Sequence, residues 1–338
     1  MRTTELGTTG TQVSALAFGA MPLGTLADDD ASFAVLDAYV ADGGSFVDTA
    51  NNYAAWWQQG TFGGQSESLL GRWMAARGNR DEIFLATKGS AGWTDPAGVW
   101  PAGQAEPTWE KIPAQWEGAG SDALRAALEG SLRRLGTDHV DLYYVHVDDR
   151  TVPLVETLAT LAGFVAEGKI RYYGYSNVRA WRLAQIRALC EQHGWPQPVA
   201  LQQERTYLQR RPGLRHASIV DDDQLDYLES HPDLTLVAYS PLLKGLYDLP
   251  AHEREQQWNF ASYAGEHSTG RLAVLDAMAD ELDVTPGQLV IAWLAHQEPR
   301  TIPLVGTSRV ERYRDVADAM EIRLAPEQLA RLDDAGAS

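Results

Sequence analysis

The sequence predicts a (β/α)8 barrel, an α/β fold in which eight parallel strands alternate with helices. Short runs rich in β-branched and aromatic residues alternate with longer stretches whose apolar residues recur at three- and four-residue spacings. Eight of the short runs can be counted, and the length of 338 residues is usual for such a barrel with long loops. We therefore expect residues 1–338 to form one barrel domain.

The predicted barrel strands are spread along the whole chain. They cover residues 16–20, 45–49, 83–87, 140–146, 170–175, 200–203, 234–240 and 301–305. A predicted hairpin over residues 3–14 precedes them; its Gly and Thr residues suit a tight turn, and it can close the bottom of the barrel. Between the strands, Ser121 and Thr285 are expected to be the N-caps of two helices.

Three predicted connections are longer than is usual in a compact domain: residues 51–65, 89–119 and 244–268. Each follows a predicted strand, and the carboxyl ends of barrel strands are where barrel enzymes hold their active sites. We expect these connections to shape or cover a site.

Charge and cysteine content exclude several classes of protein. The chain has 28 basic and 46 acidic residues, a net charge of −18, which repels nucleic acid and anionic membranes. Its one cysteine, Cys190, permits no intrachain disulfide and no cysteine-based metal site, so we expect no metal and a reducing compartment. The first residues lack the apolar core of a secretory signal, and no run reaches the about 20 apolar residues of a spanning helix. We expect a cytoplasmic protein, either a monomer or a homo-oligomer.

Four ionisable residues, Asp48, Tyr53, Lys88 and His146, lie at or shortly after the ends of predicted strands. Reduction of a carbonyl by hydride leaves an alkoxide, so a proton donor is needed at the oxygen. Tyr53 can donate this proton if a nearby ammonium, that of Lys88, lowers the pKa of the phenol. Asp48 can hold Lys88 and compensate its charge, and His146 can orient the carbonyl oxygen. Together they predict a carbonyl-reducing site.

Each of the four also has a simpler explanation when taken alone. A tyrosine is most often a packing residue, a lysine at a strand end is commonly solvated, and Asp48 could cap the next helix. A lone histidine is more often a satisfied core or surface residue than a catalytic one. The joint arrangement at three neighbouring strand ends favours catalysis.

The segments around these residues resemble the aldo-keto reductase superfamily over nearly the whole chain. GGSFVDTANNY, with Asp48 and Tyr53, is similar to the first signature of the family, and LATK places Lys88 at the family lysine. SLRRLGTDHVDLYYVHVDD is similar to the second signature, with His146 and Asp149 at its histidine and aspartate, and GKIRYYGYSN is similar to the fifth strand.

The resemblance implies hydride transfer between NADP(H) and a carbonyl or alcohol substrate, with Tyr53 as general acid and base. It implies a cofactor bound without a Rossmann fingerprint, and no G-x-G-x-x-G follows a predicted strand. The nicotinamide carboxamide would be bound by Ser176, Asn177 and Gln202, and the ring would stack on Tyr239. Ser240 and Leu242 would lie along the pyrophosphate.

The adenosine end of the cofactor would be held by residues 302–316. Amides near Gly306 and Thr307, leading into a helix, can bind phosphate oxygens. Arg309 can bind a 2′-phosphate through two guanidinium donors. The chain also departs from the family: Arg312 and Val316 stand where Gln and Asn are common, and Ser308 stands where some members that prefer NADP have Lys. These changes leave NAD(H) open as the cofactor. Ala54 replaces a frequent glycine, and Arg205 replaces a frequent aromatic residue.

Many of the eleven tryptophans lie in the long connections. Flat indole rings pack well on sugars and on other bulky, partly apolar carbonyl compounds. Trp56, Trp57 and Trp93, the nearest to Tyr53 and Lys88, are expected to bind substrate. A substrate role and simple packing are equally good explanations for Trp100, Trp109 and Trp116.

Met21 is a further candidate for the substrate pocket, although a methionine there is more often core. In similar enzymes the loop after the seventh strand, here with His252, Trp258 and Tyr263, folds over the cofactor, whereas Phe260 could serve packing alone.

Two other functions are compatible with the sequence. The first is an NADP(H)-binding regulatory or interaction protein with little turnover. The second is a barrel hydrolase or lyase that uses Asp148 and Asp149, although neighbouring residues on a strand point to opposite sides and make a poor acid and base pair.

Overall fold

The computed structural model of the protein describes residues 1–57, 60 and 62–336. It begins with an antiparallel hairpin of β1 (Thr3–Glu5) and β2 (Gln12–Ser14). Eight parallel strands then form a closed barrel in chain order, with the last strand paired to the first. They are β3 (Ala17–Gly19), β4 (Phe46–Asp48), β5 (Phe84–Gly89), β6 (Val140–Val145), β7 (Ile170–Ser176), β8 (Ala200–Glu204), β9 (Thr235–Tyr239) and β10 (Thr301–Val305). The predicted barrel is confirmed, and β5 continues two residues beyond its predicted end.

Helices surround the barrel and connect its strands. They are α1 (Asp29–Ala41), α2 (Gln65–Arg77), α3 (Pro96–Val99), α4 (Ser121–Leu135), α5 (Leu154–Ala166), α6 (Ala180–His193), α7 (Asp222–Glu229), α8 (Ala251–Arg254), α9 (Glu266–Leu282), α10 (Pro286–Ala295), α11 (Val310–Ala319) and α12 (Pro326–Asp333). None of the helices among the described residues is long and apolar enough to cross a bilayer.

One predicted helix cap is confirmed and the other is wrong. Thr285 caps α10 in a capping box with Gln288. Ser121 is instead the first residue of α4, and Gly120 is its cap. The backbone N–H of Ser121 donates to the Glu156 carboxylate, 2.9 Å away, so a side chain from α5 does what a capping hydroxyl would do.

The hairpin closes the amino-terminal end of the barrel, as expected. Leu6 and Val13 are fully buried and join the cluster of apolar side chains inside the barrel. The backbone N–H of Gly7 donates to the hydroxyl of Thr235, the first residue of β9, at 2.6 Å. Because the hairpin covers this end, we expect the substrate site at the carboxyl ends of the strands.

All three long connections follow carboxyl ends, those of β4, β5 and β9. Residues 58, 59 and 61 of the first connection lie outside the described residues. The second contains α3 and a 3-10 segment (Trp109–Gln115), and its two ends meet where Trp93 and Trp116 form an antiparallel bridge. The third contains α8 between two 3-10 segments, Leu243–Asp248 and Trp258–Ser262.

Candidate active site

Three strand ends bring the four ionisable residues together as a tetrad of Asp48, Tyr53, Lys88 and His146. Asp48 is the last residue of β4, Lys88 the penultimate residue of β5, and His146 directly follows β6. Tyr53 lies in the turn after β4. Asp48 and Lys88 are completely buried, and Tyr53 is 9% exposed.

The Lys88 ammonium is the centre of the site. Its Nζ donates to Oδ1 of Asp48, to the carbonyl oxygen of Thr49 at 2.8 Å, and to the hydroxyl oxygen of Tyr53 at 2.8 Å. An ammonium has three protons, so all of them are used. These contacts fix Lys88 and, through it, the position of the Tyr53 hydroxyl.

Burial raises the pKa of Tyr53 well above its ordinary value, and the negative charge of Asp48 acts in the same direction. The direction is opposite to the one expected from the sequence. The first physical reason is that the phenol is buried, and the second is that Asp48 compensates Lys88, so the pair offers little net positive charge to a phenolate. The phenol is therefore protonated at neutral pH but is a weaker acid than a free phenol.

Burial also acts on the ion pair itself. It raises the pKa of Asp48, against the attraction of Lys88, and it lowers the pKa of Lys88, against the attraction of Asp48. Neither charge would be favourable at this depth without the other.

His146 contributes a neutral imidazole beside the phenol. Its ring centroid is 6.0 Å from that of Tyr53, at an interplanar angle of 77°. Burial, assisted by the charge of Lys88, lowers the pKa of His146 well below its ordinary value. Nδ1 is buried and has no partner within the described part of the chain, so the other ring nitrogen, Nε2, is the one that can reach a substrate oxygen.

The residues expected at the nicotinamide lie next to this set. Gln202 Nε2 donates to Oδ2 of Asp48 at 2.9 Å. Asn177, in the left-handed region with φ 54°, donates to the His146 carbonyl oxygen at 2.8 Å and accepts from the Tyr239 hydroxyl at 2.9 Å. Its Nδ2 also donates to the Ser176 hydroxyl oxygen at 3.1 Å. These four residues are thus tied to the tetrad by hydrogen bonds, and the amide of Asn177 is engaged at both ends.

The expected phosphate-binding residues lie at two neighbouring strand ends. Ser240, with φ 51°, and Leu242 follow β9, and Gly306 and Thr307 follow β10. A Cβ on Gly306 would lie 2.5 Å from the carbonyl oxygen of Gly19, so only glycine lets this loop approach β3.

Arg309 is the exposed N-cap residue of α11. The Arg309 side chain does not cap this helix, and the Thr307 hydroxyl accepts the backbone N–H of Arg309 at 3.2 Å, so the N–H groups that follow, at residues 310–312, are the ones available for an anion. A free helix start beside a guanidinium suits the phosphates of a dinucleotide.

Aromatic rings border the phenol on its other side. Trp56 meets Tyr53 edge to face with centroids 6.3 Å apart, and Trp57 meets Trp56 in the same way at 5.9 Å. Trp56 and Trp116 pack against a small buried cluster that includes Trp93. Met21 follows β3 and is partly exposed.

Two further tryptophans form hydrogen bonds within the second connection itself. Trp100 is buried and donates from Nε1 to the carbonyl oxygen of Gln104 at 2.9 Å. Trp109 is 49% exposed and donates to the Glu106 carboxylate at 3.3 Å. Packing therefore accounts for Trp100, and Trp109 lies on the surface.

The third connection is tied down at one point near the site. The Tyr263 hydroxyl donates to the carboxylate of Glu204, the last residue of β8. Phe260 is buried, as its packing explanation requires, whereas His252 and Trp258 are exposed. The Lys244 ammonium lies 4.7 Å from the centroid of the Trp258 ring.

One sequence-based alternative, the hydrolase or lyase, loses its support. Asp148 pairs with Arg150 and Arg182 at 3.0 Å each, and Asp149 accepts hydrogen bonds from the backbone N–H groups of Ala119 and Thr151. Both carboxylates thus have structural partners, which disfavours a hydrolase or lyase that uses them. No cluster of side chains that could bind a metal ion occurs within residues 1–57, 60 and 62–336.

Some contacts of the site were not expected from the sequence. Tyr144 lies inside the barrel with its ring centroid 6.0 Å from Lys88 Nζ, and Glu117 contacts the segments after β4 and β5. Inward alternation on β6 could have identified Tyr144. Nothing in the sequence pairs Glu117 with its partners. The buried Arg205 donates to the Thr301 hydroxyl at 2.6 Å and so serves the barrel wall.

Comparisons with known proteins confirm the resemblance seen in the sequence. The model of the Aldo/keto reductase family matches residues 15–337. Norsolorinic acid reductase B of Aspergillus parasiticus is 31% identical over 96% of this chain and 81% of its own length. The uncharacterized oxidoreductase YrpG of Bacillus subtilis is 32% identical over 99% of this chain and 95% of its own. An aryl-alcohol dehydrogenase [NADP(+)] of Phanerodontia chrysosporium is 29% identical over 96% of this chain and 83% of its own.

Proposed function

This chain belongs to the aldo/keto reductase family, and from that premise we propose that it transfers hydride between NADP(H) and an aldehyde, ketone or matching alcohol, with Tyr53 as the general acid and base. Dependence on NAD(P)H and oxidoreductase activity follow from the family itself. The observation that carries the finer proposal is the buried Lys88 ammonium, which contacts both the Asp48 carboxylate and the Tyr53 hydroxyl.

The proposed reduction uses the tetrad to move one proton. When bound, the nicotinamide supplies the hydride. As negative charge grows on the carbonyl oxygen, Tyr53 donates its proton to it, and the phenolate that remains keeps the hydrogen bond from Lys88 Nζ. His146 donates from Nε2 to the same oxygen and fixes its direction. In alcohol oxidation the same groups act in reverse.

The proposed cofactor site runs from β7 to α11. Ser176, Asn177 and Gln202 would hold the carboxamide, and Tyr239 would face the ring. Ser240, Leu242, Gly306 and Thr307 would line the phosphate path. Support for NADP(H) over NAD(H) comes from Arg309 at the uncapped start of α11 and from a relative whose name specifies NADP(+). NAD(H) would be the cofactor if Arg309 contributes nothing to binding.

The proposed substrate carries its carbonyl on an aromatic or other flat, partly apolar group. Trp56 directly contacts Tyr53, and Trp57 and Trp93 continue the aromatic wall around it. Indole faces bind such groups well, and they also bind the C–H faces of sugars, which form a second substrate class. One relative is named for aryl alcohols, in agreement with the first class.

The test combines substrate turnover with one conservative substitution. Purified protein should consume NADPH with members of a panel of aryl aldehydes, ketones and sugar aldehydes. Tyr53→Phe should lower kcat by about 100-fold or more because the proton donor is lost, while NADPH binding measured by fluorescence is retained. Tyr172→Phe, which loses only a hydroxyl contact to Thr11 in the hairpin, is the matched control and should be fully active.

Two results would contradict the proposal. Normal turnover by Tyr53→Phe would remove Tyr53 as the acid. Tight NADPH binding by the wild type with negligible turnover across the panel, together with a stable complex with another protein, would favour the regulatory function instead.

A further inference from the structure

The Glu117 carboxylate, at the end of the second long connection, contacts two segments that carry the tetrad. Its Oε1 accepts from Asn51 Nδ2 at 2.7 Å, from the Ser90 backbone N–H at 2.8 Å and from the Gly92 N–H at 3.2 Å. Asn51 precedes Tyr53 by two residues, and Ser90 follows Lys88 by two. One oxygen atom thus joins the turn after β4 to the turn after β5.

Ser90 links these two turns to a third segment, the one that contains His146. Its hydroxyl donates to the Val147 carbonyl oxygen at 3.2 Å and accepts from the Val147 N–H at 3.1 Å, and Val147 directly follows His146. Ser90 has φ 84°, a conformation that is strained for a residue other than glycine. The hydrogen bond from its N–H to Glu117 helps to hold the chain in this conformation.

The backbone leaves room for the carboxylate at this point. A Cβ on Gly92 would lie 2.6 Å from Oε2 of Glu117, so a larger residue there would push the carboxylate away. Buried or partly buried N–H groups that face a carboxylate form stronger hydrogen bonds than they do with neutral acceptors.

Closing the connection does not by itself require this side chain. The Glu117 N–H donates to the Gly92 carbonyl oxygen at 2.8 Å and the Gly118 N–H to the Ser90 carbonyl oxygen at 3.2 Å. These backbone bonds join the two ends of the connection. The contact with Asn51, which belongs to a different loop, is the additional contribution of the carboxylate.

We propose that Glu117 is a positioning residue, which holds the segments of Tyr53, Lys88 and His146 in register for proton transfer. The inference rests on the proposed function, since it assigns Glu117 a task in that reaction. Displacement of a reacting group by about 1 Å can cost roughly 100-fold in rate. A loop that loses its anchor should therefore slow the chemical step more than it weakens cofactor binding.

The test compares a graded series at Glu117. Glu117→Ala removes every contact and should lower kcat roughly 10- to 100-fold, with the NADPH Kd within about twofold of wild type. Glu117→Gln keeps an acceptor oxygen for Ser90 and Gly92 and should restore part of kcat. Glu110→Ala, an exposed residue of the same connection, is the matched control and should equal wild type in both kcat and Kd.

Hydrogen exchange gives a second measurement that needs no turnover. In Glu117→Ala, amides of residues 49–57 and 89–93 should exchange faster, while those of the hairpin should be unchanged. Asn51→Ala should lower kcat less in the Glu117→Ala background than in wild type, because the contact between the two residues is then already lost.

Unchanged kcat in folded Glu117→Ala, or a fall in kcat that only matches the loss of folded protein, would overturn the proposal even if exchange increases. Unchanged exchange in both segments would overturn it as well. If the wild-type protein shows no turnover, the proposed function is wrong. Hydrogen exchange in wild type and Glu117→Ala then tests by itself whether Glu117 holds the segments.

Discussion

Gln202 Nε2 donates a 2.9 Å hydrogen bond to Oδ2 of Asp48, while Lys88 donates to Oδ1 of the same carboxylate. Each carboxylate oxygen is therefore held by a different strand, β8 on one side and β5 on the other. The family resemblance implies that Gln202 binds the nicotinamide carboxamide. The structure adds a second contact, through which Gln202 holds Asp48, the counter-ion of Lys88.

Gln202→Leu should lower kcat about tenfold, because Asp48 loses the donor that orients it and Lys88 then holds Tyr53 less firmly. Steady-state kinetics with saturating NADPH measure this. Gln203→Leu is the control: Gln203 is also buried, but it donates to the Val178 and Ala217 carbonyl oxygens. That variant should lose stability and keep kcat per folded molecule. Equal kcat losses in the two variants would argue against a specific effect on Asp48.

Lys88→Met should lower the free energy of unfolding by about 3–5 kcal/mol, because it leaves the Asp48 charge buried without its partner. The double variant Asp48→Asn with Lys88→Met removes both charges and should regain most of that stability. Urea denaturation measures the free energies. Neither variant should regain turnover, since both lack the ammonium that holds Tyr53. Additive losses of stability in the double variant would show that the two charges are not coupled.

Much of the fold could be predicted because it depends on local patterns. Periodicity and β-branched content place all eight barrel strands within two residues of their observed ends, and the capping hydroxyl of Thr285 is a local signal. The cap of α4 was missed because its donor is satisfied by Glu156, which is 35 positions away along the chain. Contacts of that kind leave no trace in one sequence.

The candidate site could likewise be predicted only in part. Its four ionisable residues lie at strand ends, so barrel closure alone is enough to bring them together. The direction of the Tyr53 pKa could not be predicted, because it depends on how deeply the phenol is buried and how completely Asp48 compensates Lys88. Glu117 and Asn51 are 66 positions apart, and only the folded connection brings them into contact.

Neither Tyr53 nor His146 should change charge between about pH 6.5 and about pH 10, so a loss of reduction at the alkaline end of that range would come from Lys88, whose pKa is lowered by burial. Tyr53 must be protonated to act as an acid, and burial raises the pKa of its hydroxyl well above the ordinary value, so the active form is lost only at higher pH. Burial lowers the pKa of His146 well below its ordinary value, so the imidazole gains charge only at lower pH. A kcat profile with saturating NADPH measures this; a rise of kcat between pH 7 and 9 would contradict the lowered pKa of His146.

Arg309→Ala should raise the Kd of NADPH roughly 10- to 100-fold and leave that of NADH nearly unchanged. The loss corresponds to about 1.5–3 kcal/mol, as expected for hydrogen bonds from a guanidinium to a 2′-phosphate. Fluorescence titration with each cofactor measures both constants. Arg323→Ala is the control, because Arg323 is an exposed arginine outside residues 302–316 and is 3.5 Å from Glu321. Equal affinity of the wild type for NADPH and NADH would contradict a 2′-phosphate site at Arg309.

Trp56→Ala should lower kcat/KM for aryl aldehydes about tenfold more than kcat/KM for a small aliphatic aldehyde. Trp56 meets the Tyr53 ring edge to face, so any disturbance of the phenol should affect both substrates alike. The difference between the substrates isolates the contact of the indole with an aromatic group, worth about 0.5–1.5 kcal/mol beyond the buried area. Competition between the two aldehydes in one reaction measures the ratio directly.

Trp109→Ala is the control for Trp56→Ala, because it removes an indole that does not contact Tyr53. Trp109 belongs to the second connection but is 49% exposed and contacts Glu106, so its removal should leave the ratio unchanged. If Trp56→Ala lowered kcat/KM equally for both aldehydes, Trp56 would support only the Tyr53 turn. The aromatic substrate class would then lose its main argument, while the proposed proton transfer by Tyr53 would stand.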